Sequence, residues 1–273
     1  MAATPFPLVA VDIGNSRVKF ARFDAPPALG TGKLPAPSRT LDLDPRTEPW
    51  DKLDAWLDAH PGPTRPAWWI GSVARQVSSR LVDHLRDRDI RDVTLISAGD
   101  LPLVVSLPRP DMVGIDRLLG AVAANEVRDP ARAAIVVDLG SAITVDLVAP
   151  DGAFRGGAIL PGIGMSARAL HEFTDLLPLI EMHALAEPPA PVGDATVPAM
   201  TSGLFWGAVG GVSRLIELYS AEFTGAEVGG APLVLLTGGA APSVAKLLPS
   251  ETRYEPNLVP AGIALAAARA APR

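Results

Sequence analysis

Leu8-Val9-Ala10-Val11-Asp12-Ile13-Gly14-Asn15-Ser16-Arg17-Val18-Lys19-Phe20 is the stretch on which the reading of this chain turns. Four apolar residues lead into Asp-x-Gly, and apolar residues resume at Val18 and Phe20 with a period of two. That is the pattern of a strand, a glycine turn and a second strand. It returns at Ala134-Ile135-Val136-Val137-Asp138-Leu139-Gly140-Ser141-Ala142, followed by Ile143, Val145 and Leu147. Asp12 and Asp138 stand 126 positions apart in a chain of 273 residues, close to half its length. The repeat predicts an α/β protein of two similar lobes, each turning one hairpin loop toward a central cleft.

Further elements follow from periodicity and composition. Helices are expected near 50–59 and 78–88, and strands at 68–72 and 93–97. The Ala- and Leu-rich run 117–127 has helical composition and reads as the link between a first lobe, 1–117, and a second, 118–273. Residues 202–219 are apolar at helical spacing despite several glycines. Leu233 to Leu236 reads as a buried strand ending in Thr237-Gly238-Gly239, with a helix from Ser243. The alanine-rich tail 261–271 is expected to close the chain as a helix interrupted by Arg269, one able to pack across the lobe boundary.

Composition narrows the function. Hydrophobic residues make up 48% of the chain, enough for one large core or two moderate ones. The 24 Lys and Arg against 30 Asp and Glu leave a net charge of −6, which supplies no general attraction for nucleic acid or an anionic membrane. Cysteine is absent, which excludes disulfides, thiolate metal sites and cysteine nucleophiles. Residues 1–7 carry no secretory pattern and no apolar run reaches bilayer-spanning length, so the cytoplasm is the expected compartment. The 28 prolines are scattered through connections such as 25–27, 61–66 and 187–191, which reads as stiffened loops. His60, His84, His171 and His183 show no metal-ligand spacing and are assigned to the surface. Trp68, Trp69 and Trp206 are read as packing residues.

The loops carry the chemistry. Asp12-x-Gly14-Asn15-Ser16-x-x-Lys19 follows a strand, so its amides can donate to phosphate oxygens, glycine admits close approach, and Asp12 can hold a hydrated magnesium ion. Lysine is the rarer cation here, since Arg supplies 20 of the 24 basic residues, and one compact ammonium suits a terminal phosphate. The second loop offers a matching cradle at Gly140 and Ser141 with the Thr144 hydroxyl. Either loop alone also reads as a plain hairpin turn; together they suit a phosphotransferase that grips a triphosphate from two sides. Gly238 and Gly239 suit a loop admitting adenosine, or a simple strand-to-helix turn. Gly114-Ile115-Asp116-Arg117 opens a helix. Asp116 there reads either as a cap or as a base accepting a hydroxyl proton, with Arg117 clamping an anion.

In order and spacing these residues resemble the type III pantothenate kinases. The resemblance runs through Asp12-x-Gly14-Asn15-Ser16-x-x-Lys19, Pro110-x-x-Val113-Gly114-x-Asp116-Arg117 and Asp138-Leu139-Gly140-Ser141-Ala142-x-Thr144. It continues through Gly156-Gly157-x-Ile159-x-Pro161-Gly162, Leu177-Pro178, Thr196-x-x-Ala199-Met200-x-Ser202-Gly203 and Thr237-Gly238-Gly239. It implies two actin-like (ribonuclease H-like) lobes, ATP with Mg²⁺ as donor, and phosphorylation of pantothenate as the first step toward coenzyme A. It implies further that Asp116 is the base, that Arg117 and Thr196 hold pantothenate with Gly114 beside them, and that Asp138 binds a monovalent cation, K⁺ or NH₄⁺. A homodimer is implied, with no nucleic acid or membrane partner. Two positions depart from the family pattern. Leu107 stands where many relatives carry a tyrosine bordering the pantothenate pocket, and Ser141 replaces a threonine, keeping the hydroxyl. Leu107 is expected to alter substrate affinity more than chemistry.

Other readings keep the fold and change the role. The acceptor could be a sugar or a carboxylate, or the protein could be a nonenzymatic accessory factor in transcription. The intact set Asp12, Asp116, Arg117 and Asp138 argues against a dead scaffold, and the acidic balance argues against direct DNA binding. A filament or chaperone of the actin type fits poorly, because the chain lacks the length for their extra subdomains.

Overall fold

The computed structural model describes residues 5–47, 50–59, 64–181, 187–223, 230–248 and 252–270. The chain divides into two compact units, one of Met1–Val127 with Asn257–Arg273 and the other of Arg128–Pro256.

The first unit is built on strands β1 (Leu8–Ile13), β2 (Val18–Phe23), β3 (Arg39–Leu43), β4 (Ala67–Ser72) and β5 (Val93–Leu95), in the spatial order β3-β2-β1-β4-β5. The first three form an antiparallel meander, and β4 and β5 run parallel to β1. β1 is covered on both faces, which is why it reads as a continuous apolar run: Leu8, Val9, Ala10, Val11 and Ile13 are all fully buried. Val9, Val11 and Ile13, with Phe20, Trp68 and Ile70, pack against Leu53 of helix α1 (Trp50–Asp58) and Val77, Leu81 and Leu85 of α2 (Arg75–Asp87). On this side Phe20 stands edge-on to Trp68, with ring centroids 6.4 Å apart.

Helix α7 (Leu258–Arg269) lies against β1, β2 and β4, and against helix α3 (Ile115–Val127). It is apolar on nearly every side, and Leu258, Val259, Ile263 and Leu265 are buried. Each such side chain contributes about 1.5–3 kcal/mol, which accounts for its return to the first unit. Gly262 makes the crossing close, since a Cβ there would stand 2.1 Å from the Leu119 carbonyl oxygen. Arg269 ends the helix and does not interrupt it. Its guanidinium lies 2.6 Å from Glu126 of α3, whose side chain is 1% exposed and also accepts the backbone N–H groups of Gly30 and Thr31. The first unit therefore runs to Val127, past the boundary expected at Arg117. Ala271 lies outside the described residues.

The second unit repeats the plan with β6 (Ala134–Leu139), β7 (Ala142–Val148), β8 (Phe154–Pro161), β9 (Leu233–Thr237) and β10 (Thr252–Tyr254), in the order β8-β7-β6-β9-β10. Ile135, Val137, Leu139, Val145 and Leu236 share a core with Ile163 and Ala167 of α4 (Ile163–Glu172). Phe205, Val209, Val212 and Ile216 of α5 (Thr196–Ala221) and Val244 of α6 (Ala241–Val244) complete it. α5 begins at Thr196, earlier than its apolar spacing predicts. β3, β8, α4 and β10 also lie beyond the sequence reading. β8 contains Gly156 and Gly157, residues depleted in strands, and is held by its antiparallel ladder with β7.

The tryptophans pack as expected, with Trp68 and Trp69 buried and Trp206 half-buried. His84 is less exposed than its surface assignment: it sits between α1 and α2, stacked on Trp50 and 2.8 Å from Asp54. His171 lies 2.9 Å from the Leu177 carbonyl. His60 and His183 lie outside the described residues.

Candidate active site

In each unit the candidate loop sits where two parallel strands end, the usual place for a ligand site in an open α/β sheet. In the first unit Asp12 is one residue from the end of β1, paired in register with Lys19 on β2 and Gly71 on β4. The four residues that follow close a hairpin in which the Gly14 N–H donates to the Arg17 carbonyl at 2.9 Å. Asn15 and Ser16 are exposed at its tip. Gly14 does not need a left-handed backbone; it is needed for space, since a Cβ would sit 3.3 Å from the Arg17 oxygen.

Asp116 reaches the same end of this sheet through α3. A Cβ on Gly71, the register partner of Asp12, would meet Leu119 Cδ1 at 2.8 Å and Ile115 Cγ2 at 3.7 Å, so the start of α3 is seated over the end of β4. Asp116 accepts the Arg117 N–H at 2.8 Å. A side chain at Gly114 would put its Cβ 2.6 Å from Asp116 Oδ1, so glycine there clears the carboxylate. Burial pushes the Asp116 carboxyl above its ordinary value of 3.8, against the opposing pull of the Arg117 amide and guanidinium. A carboxylate with raised proton affinity is a better base than a solvated one, and Asp116 has the environment to act as one.

In the second unit Asp138 is flanked in register by Thr144 on β7 and Thr237 on β9. A Cβ on Gly140 would stand 3.3 Å from Asp138 Oδ1, and Gly140 N–H donates to the Ala142 carbonyl at 3.2 Å. Gly238 is the most constrained residue of the set. Its φ is +98°, and a Cβ would come within 2.5 Å of Asp138 Oδ1 and 2.6 Å of the Leu139 backbone. Ser141 and Thr144 are half-buried and Gly239 is exposed.

Gly162 was present in a sequence motif but had no assigned role. It precedes α4, its N–H donates to the Ser141 carbonyl at 3.2 Å, and a Cβ would lie 2.4–2.5 Å from the carbonyl oxygens of Ser141 and Gly140. It locks the second loop against the start of α4. The signal available in the sequence was the Pro161-Gly162 pair before a helical segment.

The remaining predicted residues stand apart from these clusters in the chain. Leu107 is half-buried in the segment leading to the Pro110–Met112 turn, and Thr196 is exposed at the first position of α5. A cavity of about 630 Å³ lies at the other end of β7, lined by Leu147, Asp151, Arg155, Tyr219 and Phe223, and includes none of the predicted site residues. Among the described residues no three His, Cys, Asp or Glu side chains gather as a metal cage, and no helix is long and apolar enough to cross a membrane. A carboxylate at the foot of a glycine hairpin, as at Asp12, is a donor of the kind Mg²⁺ accepts, since that ion is commonly held by one or two carboxylates and substrate phosphates. Asp138, with Thr144 and Thr237 beside it in register, presents oxygen-bearing side chains alone.

The duplicated sheet, with an aspartate-glycine hairpin at the same place in each copy, defines a protein of the actin-like, ribonuclease H-like class. Among solved structures it is similar to the ethanolamine utilization protein EutJ from Carboxydothermus hydrogenoformans, with a TM-score of 0.52 at 15% identity, covering 97% of this chain and 92% of that one. That likeness shows the fold. The chain belongs to the type III pantothenate kinase family, whose model matches residues 8–218. It is 37% identical over 248 residues to the type III pantothenate kinase of Paramagnetospirillum magneticum, covering 88% of each chain. It is 40% identical over 250 residues to that of Rhodospirillum rubrum, covering 88% of this chain and 89% of the relative.

Proposed function

We infer that this protein transfers the γ-phosphoryl group of ATP to the primary hydroxyl of pantothenate, giving phosphopantothenate and ADP, the first step toward coenzyme A. The observation that carries the reading is Asp116, a carboxylate of raised proton affinity seated at the same sheet end as Asp12 and its glycine loop. Family membership supplies the acceptor.

In this reading each unit carries one phosphate-binding loop. The first binds through the amides of Asn15 and Ser16 and the Lys19 ammonium, with Gly14, whose own N–H closes the hairpin, leaving room for close approach; the second binds through Ser141 and the Thr144 hydroxyl, with Gly140 in the role of Gly14. Gly238 and Gly239 admit the adenosine. Asp12 would hold Mg²⁺, and Asp138 a monovalent cation, K⁺ or NH₄⁺; these ions would offset charge on the phosphates. Arg117 and Thr196 fix pantothenate, with Gly114 and Leu107 beside it. Asp116 accepts the hydroxyl proton as the alkoxide oxygen bonds to phosphorus and the bond to the ADP oxygen breaks. The proton passes from Asp116 to solvent when product leaves. With a loose transition state, positioning and charge stabilisation supply most of the acceleration.

A homodimer completes the reading. Phe173, Leu176, Leu179 and Val192 are exposed large apolar residues in and around the segment between α4 and α5, and such exposure supports a protein partner surface. The proposed compartment is the cytoplasm, where ATP is at hand. The test is a coupled ADP-release assay on the purified protein with ATP and Mg²⁺, with and without K⁺, across pantothenate, acetate and hexoses. Pantothenate should stand far above the other acceptors. ADP release with pantothenate no faster than with ATP alone would rule the function out.

A further inference from the structure

The segment ahead of α5 folds back along that helix. Trp206 Nε1 donates to the Pro189 carbonyl at 3.1 Å, and Ser202 Oγ donates to the Pro191 carbonyl at 2.7 Å. A Cβ on Gly193 would stand 2.1 Å from the Ala199 nitrogen and 2.4 Å from the Pro198 carbonyl carbon. The contacts fall in order, 189 beside 206, 191 beside 202 and 193 beside 198 and 199. Residues 189–193 are therefore a strap running antiparallel to the first turns of α5. Pro188, Pro189 and Pro191 keep it extended, and Ser202 and Trp206, four apart, meet it from one face of the helix.

Asp194 and Ala195 alone separate the strap from Thr196, the first residue of α5. Ala195 stands at the cap position and no side chain caps the helix there. The helix start is thus fastened by the strap and not by a capping hydroxyl or carboxylate. Ser202 is 8% exposed, an uncommon place for a serine unless its hydroxyl has a partner to hold.

We propose that Gly193, Ser202 and Trp206 are positioning residues for pantothenate, because by fastening the strap they set where α5 begins and so where Thr196 presents its hydroxyl. The inference rests on Thr196 contacting pantothenate, as read above. Ser202 and Trp206 hold the strap from below while Thr196 stands exposed at its far end, so the effect belongs to acceptor binding and not to the phosphate loops.

The test is steady-state kinetics on the full chain, with ATP and pantothenate titrated separately. Ser202→Ala should raise the pantothenate KM about 3- to 10-fold, the worth of one hydrogen bond, with kcat and the ATP KM within about twofold of wild type. Trp206→Phe, which removes the N–H donor and keeps a smaller aromatic ring against Phe205, should move the same constant in the same direction and carries the test if Ser202→Ala fails to fold. In a Thr196→Ala background the Ser202→Ala change should add nothing, because both act through one hydroxyl. If Thr196→Ala raises the pantothenate KM while Ser202→Ala and Trp206→Phe do not, or if the effects simply multiply, the strap has no positioning role. If Thr196→Ala leaves that KM unchanged, the Thr196 assignment itself fails and the inference goes with it.

Discussion

Gly238→Ala is constrained by the structure in two ways, through its backbone angle and through the room for a Cβ. The residue has φ +98°, where an L side chain costs roughly 1–2 kcal/mol in left-handed backbone. Its new Cβ would stand 2.5 Å from Asp138 Oδ1 and 2.6 Å from the nitrogen and carbonyl carbon of Leu139. The carboxylate can rotate aside but the Leu139 backbone, laddered into β6, cannot. The turn must therefore retreat from β6 by 0.4 Å or more to bring 2.6 Å to 3.0 Å. A misplacement of 1 Å in a positioning element can cost about 100-fold in rate, so a shift near half that size is worth about tenfold. Urea denaturation should show a loss of about 2 kcal/mol once crowding joins the backbone term. ADP-release kinetics with ATP titrated should show kcat/KM for ATP down about tenfold. Gly210→Ala is the comparison: it lies on an open face of α5 where, among the described residues and beyond its own stretch of helix, nothing stands within 4 Å of the new Cβ. It should gain about 0.5–1 kcal/mol and leave kinetics alone. Wild-type kcat/KM for ATP in Gly238→Ala would refute the argument that this turn shapes the nucleotide site.

Asp116→Asn should abolish turnover while ATP binding, followed by calorimetry, is retained; near-normal turnover would remove Asp116 from the mechanism. The same variant has a stability signature. The native state binds the Asp116 proton more tightly than the unfolded chain does, so the stability this group contributes is full below about pH 3.8 and is lost as pH rises through its raised folded value. At pH 7 the variant should therefore melt higher than wild type, by about 1.4 kcal/mol for each unit of displacement, with the difference closing toward pH 4. Arg269→Ala leaves the Glu126 carboxylate buried without its cation; since Arg269 keeps 30% exposure, a loss of about 2–3 kcal/mol is expected in urea denaturation. Asp89→Gly should raise stability by about 1 kcal/mol in the same assay. Asp89 holds φ 57° in a Schellman turn closing α2, with Ile90 N–H donating to Leu85 and Asp89 N–H to Arg86, and its ion pairs with Arg65 and Arg91 are solvent-exposed.

The parts of the site that were legible in the sequence are those carried by one strand and the turn after it. Asp12 with Lys19 and Asp138 with Thr144 are cross-strand pairs in tight hairpins, so their partnership follows from short-range register. Asp116 beside the end of β4 depends on α3 docking through Leu119 onto Gly71, a contact between distant segments that no local pattern announces. His84 shows the same limit: charged neighbours in sequence suggested a surface place, and the packing of α1 on α2 gave it Trp50 and Asp54.

By itself the sequence determined the duplicated strand–turn–strand plan, the family and the identity of the chemical groups, because alternating apolar residues and the aspartate-glycine turn express their geometry within a dozen positions. Only the tertiary structure decided that α7 joins the first unit, that Gly162 and Gly238 are locked against the second loop, and that a strap sets the start of α5. Each of these depends on close approach between separate segments of the chain, where the absence of a single Cβ or the reach of one hydroxyl settles the arrangement, and composition has no record of such distances.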